Sequence, residues 1–278
     1  MKKSIYFISA ILLLSSCTKI IDIELNEGLQ RIVIEGKITD QDLPVTVTVT
    51  RTTDYFNPDE PAKVSGAIVS IKGESGAYVS LNELSPGLYQ SSMIKGKNGQ
   101  LYELRVEDGE DVYEATSYLP EKVAVDSLVY EPSFIMNPRD TTPSYLMTCW
   151  FTDPGDRADY YNFKIVKTPV DTVSQQFGPP SSGSSAILLN DVNFNGRASS
   201  FNLNRVGYFH IGDTVQVDLI SIDANIYQYY DQLNEIMGGG MMMGSSAPAN
   251  PESNISNGAM GYFSAEAVDR KVVIVKSY

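Results

Sequence analysis

Hydrophobic residues recur at every second position in short runs along most of this chain, with turn residues between the runs. Successive side chains of a strand point to opposite faces, so this period predicts strands with one dry and one wet face. The clearest run is Val45-Thr46-Val47-Thr48-Val49-Thr50, which puts each Val on one face and each Thr on the other. Ile32-Val33-Ile34-Glu35-Gly36-Lys37-Ile38, Ala67-Ile68-Val69-Ser70-Ile71 and Tyr78-Val79-Ser80-Leu81 follow the same rule. Ser85-Pro86-Gly87-Leu88-Tyr89 reads as a turn entering a strand, because Pro presets φ and Gly tolerates the left-handed position. Asp108-Gly109, between the runs at 101–106 and 112–116, is a hairpin signal. Leu119-Pro120 closes the series. The predicted class is mainly β, with a β-sandwich domain over residues 31–120 and a second β-rich domain over residues 121–278.

The second domain is less regular. Tyr145-Leu146-Met147-Thr148-Cys149-Trp150-Phe151 reads as a continuous apolar strand carrying the only Trp. The turn Thr152-Asp153-Pro154-Gly155-Asp156 leads from it into Tyr160-Tyr161-Asn162-Phe163-Lys164-Ile165-Val166. Residues 171–185, rich in Gly, Pro and Ser, read as an exposed loop. Alternation returns at Thr214-Val215-Gln216-Val217-Asp218-Leu219-Ile220. One amphipathic helix is predicted near residues 223–237, with Asp223 as N-cap. Its stripe is Ile226, Tyr229, Tyr230, Leu233, Ile236 and Met237, ending at Gly238. Lys271-Val272-Val273-Ile274-Val275 reads as a last core strand.

The N-terminus departs from this pattern. Met1-Lys2-Lys3 is a positive head, residues 5–14 are an apolar run, and Ser15-Ser16-Cys17 follows. That order is a secretion signal. A helix over so short a run rises only about 15 Å, half of a bilayer's hydrocarbon core, so it does not make a mature transmembrane span. Leu14-Ser15-Ser16-Cys17 resembles the lipobox of bacterial lipoproteins, in which cleavage exposes the Cys and its thiol takes a diacylglycerol. We therefore read residues 1–16 as a lipoprotein signal peptide, Cys17 as the lipidation site and residues 17–30 as a membrane tether.

Composition narrows what the body can do. With 34 acidic against 21 basic residues the formal charge is −13, which leaves no basic face for a phosphate backbone and excludes nucleic acid as an expected partner. Signal removal takes two of the basic residues and no acidic one, so the mature balance is −15. The single His, His210, has no Gly-x-Ser-x-Gly elbow to serve, and Cys149 has no base near it in sequence. Both read as packing residues, and no catalytic residue is assigned. Asp153, Asp156 and Asp159 surround Pro154-Gly155 with oxygens of the kind calcium takes, but their spacing departs from the alternate-residue pattern of an EF-type loop. We read them as turn chemistry. Met241, Met242 and Met243 are too close together to converge easily on one copper ion, and read instead as an apolar loop suited to partner contact. No metal or cofactor is expected. Tyrosines number 17, which raises sugar stacking as a role, but most of them fall at core spacing.

The order of landmarks resembles one family. After the lipobox come Val33-Ile34-Glu35-Gly36-Lys37-Ile38-Thr39-Asp40, Val64-Ser65-Gly66-Ala67-Ile68-Val69 and Ser85-Pro86-Gly87-Leu88-Tyr89. Asn254-Ile255-Ser256-Asn257-Gly258-Ala259-Met260-Gly261-Tyr262-Phe263 follows near the end. This order is similar to that of the DUF4249 lipoproteins of Bacteroidota over essentially the whole mature chain. Through Gly66-Ala67-Ile68-Val69 and Pro86-Gly87-Leu88-Tyr89 the first domain also resembles Ig-like sandwiches of the transthyretin-like or carboxypeptidase-regulatory kind. Such domains usually pack or recognise rather than catalyse. The family resemblance brings no biochemical activity with it. It implies an outer-membrane setting beside TonB-dependent receptors, and so a non-enzymatic accessory or binding component of a TonB-dependent transporter or another outer-membrane β-barrel. The alternatives are an independent surface glycan- or peptide-binding lipoprotein and a structural subunit of a surface assembly.

Overall fold

The computed structural model describes residues 30–53, 61–74, 76–133, 143–168, 184–204, 207–238 and 250–277. Cys17, the signal peptide and the loop carrying Met241, Met242 and Met243 lie outside the described residues. The first half holds β1 (Ile32–Thr39), β2 (Val45–Arg51), β3 (Ala62–Lys63), β4 (Ile68–Gly73), β5 (Val79–Ser80), β6 (Asn82–Ser85), β7 (Leu88–Ser91), β8 (Gln100–Asp108) and β9 (Asp111–Leu119). The second holds β10 (Val125–Pro132), β11 (Ser144–Thr152), β12 (Tyr160–Thr168), β13 (Ser184–Asn190), β14 (Ala198–Asn202), β15 (Phe209–His210), β16 (Thr214–Ile222), helix α1 (Ala224–Gly238) and β17 (Met260–Ile274). The protein is mainly β with one described helix of this length, as the periodicity predicts.

One nine-stranded sheet runs through both halves in the order β13-β12-β16-β17-β1-β2-β7-β6, with β3 beside β2. Sheet β5-β4-β8-β9 packs on one end of it, around Ile34, Val47, Val69, Leu104 and Phe263. Sheet β10-β11-β14, with β15 also on β11, packs on the other end, around Met147, Phe151, Phe163, Phe209 and Val217. The strand that joins the two ends is β17, parallel to β1 and antiparallel to β16. It is far longer than the expected strand at 271–275, and Val272 and Ile274 are exposed in it. Its central inward positions are Phe263, Ala265 and Ala267. Two alanines carry little hydrophobic signal, so periodicity marks only the C-terminal end of the strand, where Val273 and, just past it, Val275 pack into the second core. Ser184 and Ser185, expected in a loop, begin β13.

The sequence landmarks of the first half meet one another. Tyr89, fully buried, accepts a hydrogen bond from Ala67 N at 3.0 Å and donates one to Val64 O at 2.9 Å. Glu83 accepts from Gly66 N at 3.0 Å and from Gly87 N at 3.1 Å. Hydrogen bonds from Ser65, Gly66 and Gly87 hold the Glu83 carboxyl below the usual carboxylate range. The Gly66-Ala67 turn and the Pro86-Gly87-Leu88-Tyr89 turn are thus two sides of one polar corner, which satisfies backbone groups that an irregular segment would otherwise leave open.

The terminal landmark closes the edge of β9. Asn254 Nδ2 donates to Thr116 O at 3.0 Å and to Phe263 O at 2.8 Å, while its Oδ1 accepts from Phe263 N at 3.0 Å. Ser256 N donates to Glu114 O and Glu114 N donates to Ser256 Oγ, both at 2.8 Å. Asn257 and Gly258 then turn the chain with φ of 58° and 70°, the left-handed pair that Asn-Gly favours. An unpaired strand edge is an aggregation template, and here a short segment of the same chain occupies it.

Helix α1 lies on the outer face of the large sheet. Ile226 is fully buried and Tyr229 nearly so, whereas Met237, predicted in the stripe, is 69% exposed. Asp223 Oδ1 accepts from Ile226 N at 2.9 Å, the N-cap bond that the sequence suggests. Its Oδ2 accepts from Ser117 Oγ at 2.5 Å and Tyr118 N at 3.0 Å on β9, so the cap also ties the two halves together. Asp223→Ala is expected to cost about 2 kcal/mol, about 1 for the cap and the rest for the stranded donors on β9. A denaturant midpoint within error of wild type would show that water replaces these bonds.

Candidate functional site

The strongest clustering of reactive side chains is acidic. Asn190 pairs with Tyr160, so Asp191 and Asp159 continue the ladder just beyond it. Asp159 N donates to Asp191 Oδ2 at 2.9 Å. Asp153 arrives from the end of β11, where its Oδ1 accepts from Tyr161 Oη at 2.5 Å and its Oδ2 from Gly196 N at 3.0 Å. One oxygen from each of Asp153, Asp159 and Asp191 lies within 4.8 Å of the others, and all three residues are buried. Asp156 is exposed and takes no part. The sequence trio therefore loses one member and gains Asp191, which is 32 residues from Asp159 and adjacent only through the β12–β13 pairing.

Burial holds the Asp159 carboxyl above the usual carboxylate range. Arg157, whose Nε donates to both its oxygens at 2.8 and 3.1 Å, works against that, while Asp153 and Asp191 reinforce it. Three hard oxygens at this separation are a donor set that suits a divalent cation. Each carboxylate also accepts protein hydrogen bonds, and together these fasten the loop after β11 to the turn after β13.

The region around His210 is a second cluster. Asp213 Oδ2 accepts from His210 N at 2.9 Å and lies 3.8 Å from His210 Nδ1. Buried Lys167 donates to Tyr208 O at 2.8 Å and sits 3.9 Å from the same Asp213 oxygen. Burial lowers the Lys167 pKa, and Asp213 partly restores it. The set clamps the tight turn between β15 and β16.

Cys149 is fully enclosed, and burial pushes its thiol up to about 12, so it holds its proton at neutral pH and lacks the thiolate a nucleophile needs. Tyr89, Tyr102 and Tyr161 are core residues, and Tyr229, Tyr230 and Tyr262 pack edge-on or tilted against one another beside α1 with ring separations of 5.0 to 6.0 Å. A shallow open depression of about 370 Å³ lies between β9 and residues 253–256, with Glu103 and Glu114 on its wall. Arg105 engages Glu114 at 2.9 Å, and Lys72 engages Glu103 at 3.0 Å.

Comparison with known proteins adds the remaining functional position. Residues 1–18 match the prokaryotic membrane lipoprotein lipid attachment site, and Cys17 is the sole cysteine in that stretch. No curated protein matches the sequence. Among solved structures the chain is similar to a two fibronectin type-III domain segment from chicken tenascin, at 11% identity and a TM-score of 0.22, over 88% of this chain and 99% of that one. A mutant alpha-2-macroglobulin from Salmonella is similar at 11% identity and a TM-score of 0.21, over 70% of this chain and 14% of that one. Residues 18–272 match a family described as a domain of unknown function, DUF4249. The protein is a membrane-anchored lipoprotein, and its chain belongs to the DUF4249 family.

Proposed function

We propose that this lipoprotein is a non-enzymatic accessory of an outer-membrane β-barrel, of the TonB-dependent transporter class, and that it acts from the outer membrane with its body held beside the barrel. The observation that carries this reading is the lipid attachment site directly ahead of a folded body that starts at Ile32. The stretch from residue 17 to β1 reaches at most about 50 Å even if fully extended. A body confined to that reach meets its membrane neighbours at an effective concentration on the order of millimolar, which turns a weak contact into a stable one. The buried Cys149 and the backbone-engaged His210 cluster fit a scaffold better than a reaction centre.

The test is a native pull-down through a C-terminal tag from gently solubilised membranes. A β-barrel membrane protein is expected in stoichiometric amount. Recovery of the lipoprotein alone would end the accessory reading and leave the independent surface binder or the structural subunit.

A further inference from the structure

Trp150 is the only tryptophan in the chain, and it does not join the core. Along β11 the residues Tyr145, Met147, Cys149 and Phe151 point inward, and Trp150, on the opposite face, is 43% exposed. The ladder places Ser127 of β10 on one side of it and Ser200 of β14 on the other. The next outward position, Thr148, is flanked by Val129 and Asn202. Below Trp150, Thr152 donates to the Asp126 carboxylate at 2.8 Å. On the outer face of this small sheet the indole therefore stands among hydroxyls and an amide, with Val129, Leu146 and Glu131 farther along.

An indole left 43% exposed offers an apolar face to a ligand. Three occupants differ in what they need. A second copy or a protein partner needs about 800 Å² per side for a stable interface. Three strands about 4.8 Å apart, with five outward positions about 6.8 Å apart on β11, offer on the order of 300 Å². An anionic ligand or a phospholipid headgroup needs cations, and β10, β11 and β14 contain no Lys or Arg while Asp126 and Glu131 supply negative charge. A neutral sugar ring needs one aromatic face for its apolar C–H side and short donors and acceptors at its rim for the hydroxyls. The face supplies those two things.

We propose that the outer face of β10-β11-β14 is a binding platform for an uncharged glycan, with Trp150 stacking on a pyranose ring and Ser127, Ser200 and Asn202 bonding its hydroxyls. Glycan binding at this face does not require a barrel contact. A platform that binds nothing leaves the pull-down result unchanged, and loss of the barrel leaves the platform unchanged.

The single Trp makes its fluorescence a local reporter. Full-length lipidated protein in a detergent without a sugar headgroup is titrated with maltohexaose, cellohexaose, mannohexaose and xylohexaose. At least one is expected to shift the emission saturably and shield it from acrylamide. Trp150→Ala, followed by retardation in gels containing the matching polysaccharide, is expected to weaken binding about tenfold or more. The double variant Ser127→Gln with Ser200→Gln crowds the indole without touching the core, keeps the emission as readout and is expected to abolish the shift. An emission unmoved by all four sugars would overturn the proposal, as would gel retardation that survives both variants. A shift caused only by phospholipid vesicles, or only by raising the protein concentration, would also overturn it in favour of a membrane or a second copy.

Discussion

Cys17→Ser is expected to move the protein from the membrane fraction to the soluble fraction and to abolish incorporation of labelled palmitate. Among the described residues no helix is long and apolar enough to cross a membrane. The mature charge of −15 pushes the body away from an anionic surface. Each buried methylene of an acyl chain contributes about 0.8 kcal/mol, and one chain of ordinary length holds only weakly, so stable residence depends on a multiply acylated Cys. The variant is best made behind a cleavable signal that is not of the lipoprotein type, because an unprocessed precursor would keep its own apolar segment. A variant that still took up label, or stayed with the membrane after a carbonate wash, would show that Cys17 is not the anchor. The same variant should lose the barrel in the pull-down even at equal expression, since removal of the tether removes the effective concentration.

Gly261→Ala is expected to be the most damaging single change to the folded body. Gly261 sits opposite Ile34 in the parallel β1–β17 pairing, with φ of 93°. A Cβ there would land on the Ile34 carbonyl, inside any van der Waals distance, and the carbonyl belongs to a ladder that cannot shift alone. The φ value adds a strain that only glycine avoids. The expected loss is about 4 kcal/mol, at the upper end for a point change. Gly258→Ala is the control: its φ of 70° is also left-handed, but nothing lies within 4 Å of the added Cβ. It should cost about 1 kcal/mol. Denaturant midpoints separate the two, and equal losses would mean that backbone conformation alone explains the glycine at 261. The Gly261-Tyr262-Phe263 landmark gains a physical reason from this: the chain must pass close to β1 just where β17 begins to join the two halves of the large sheet.

Much of this protein is local, and the local part was legible. Alternation at residues 45–50, the Asp108-Gly109 hairpin and the Asp223 cap each depend on neighbours a few positions away, and each stands where the periodicity and turn chemistry place it. Gly109 has φ of 65°, as the two-residue turn requires. The misses share another cause. The expected final strand covers only the last part of β17, with Val273 and Val275 inward and Val272 and Ile274 exposed, because the segment that closes the first core carries alanines. Asp191 could not be joined to Asp159 without knowing that β13 pairs with β12. The apolar run at 145–151 reads as one continuous strand, and the fold then buries Tyr145, Met147, Cys149 and Phe151 while Trp150 faces the other way.

The amino-acid sequence determined where the protein is held, which segments extend, and where they turn, since a lipid attachment site, a period of two and a turn dipeptide are all read over a few residues. Register across distant strands is a different kind of information. It is set by the packing of two cores at once, and it alone decided that β17 links the halves, that Gly261 must stay bare, that three aspartates share one buried corner, and that the single Trp faces outward.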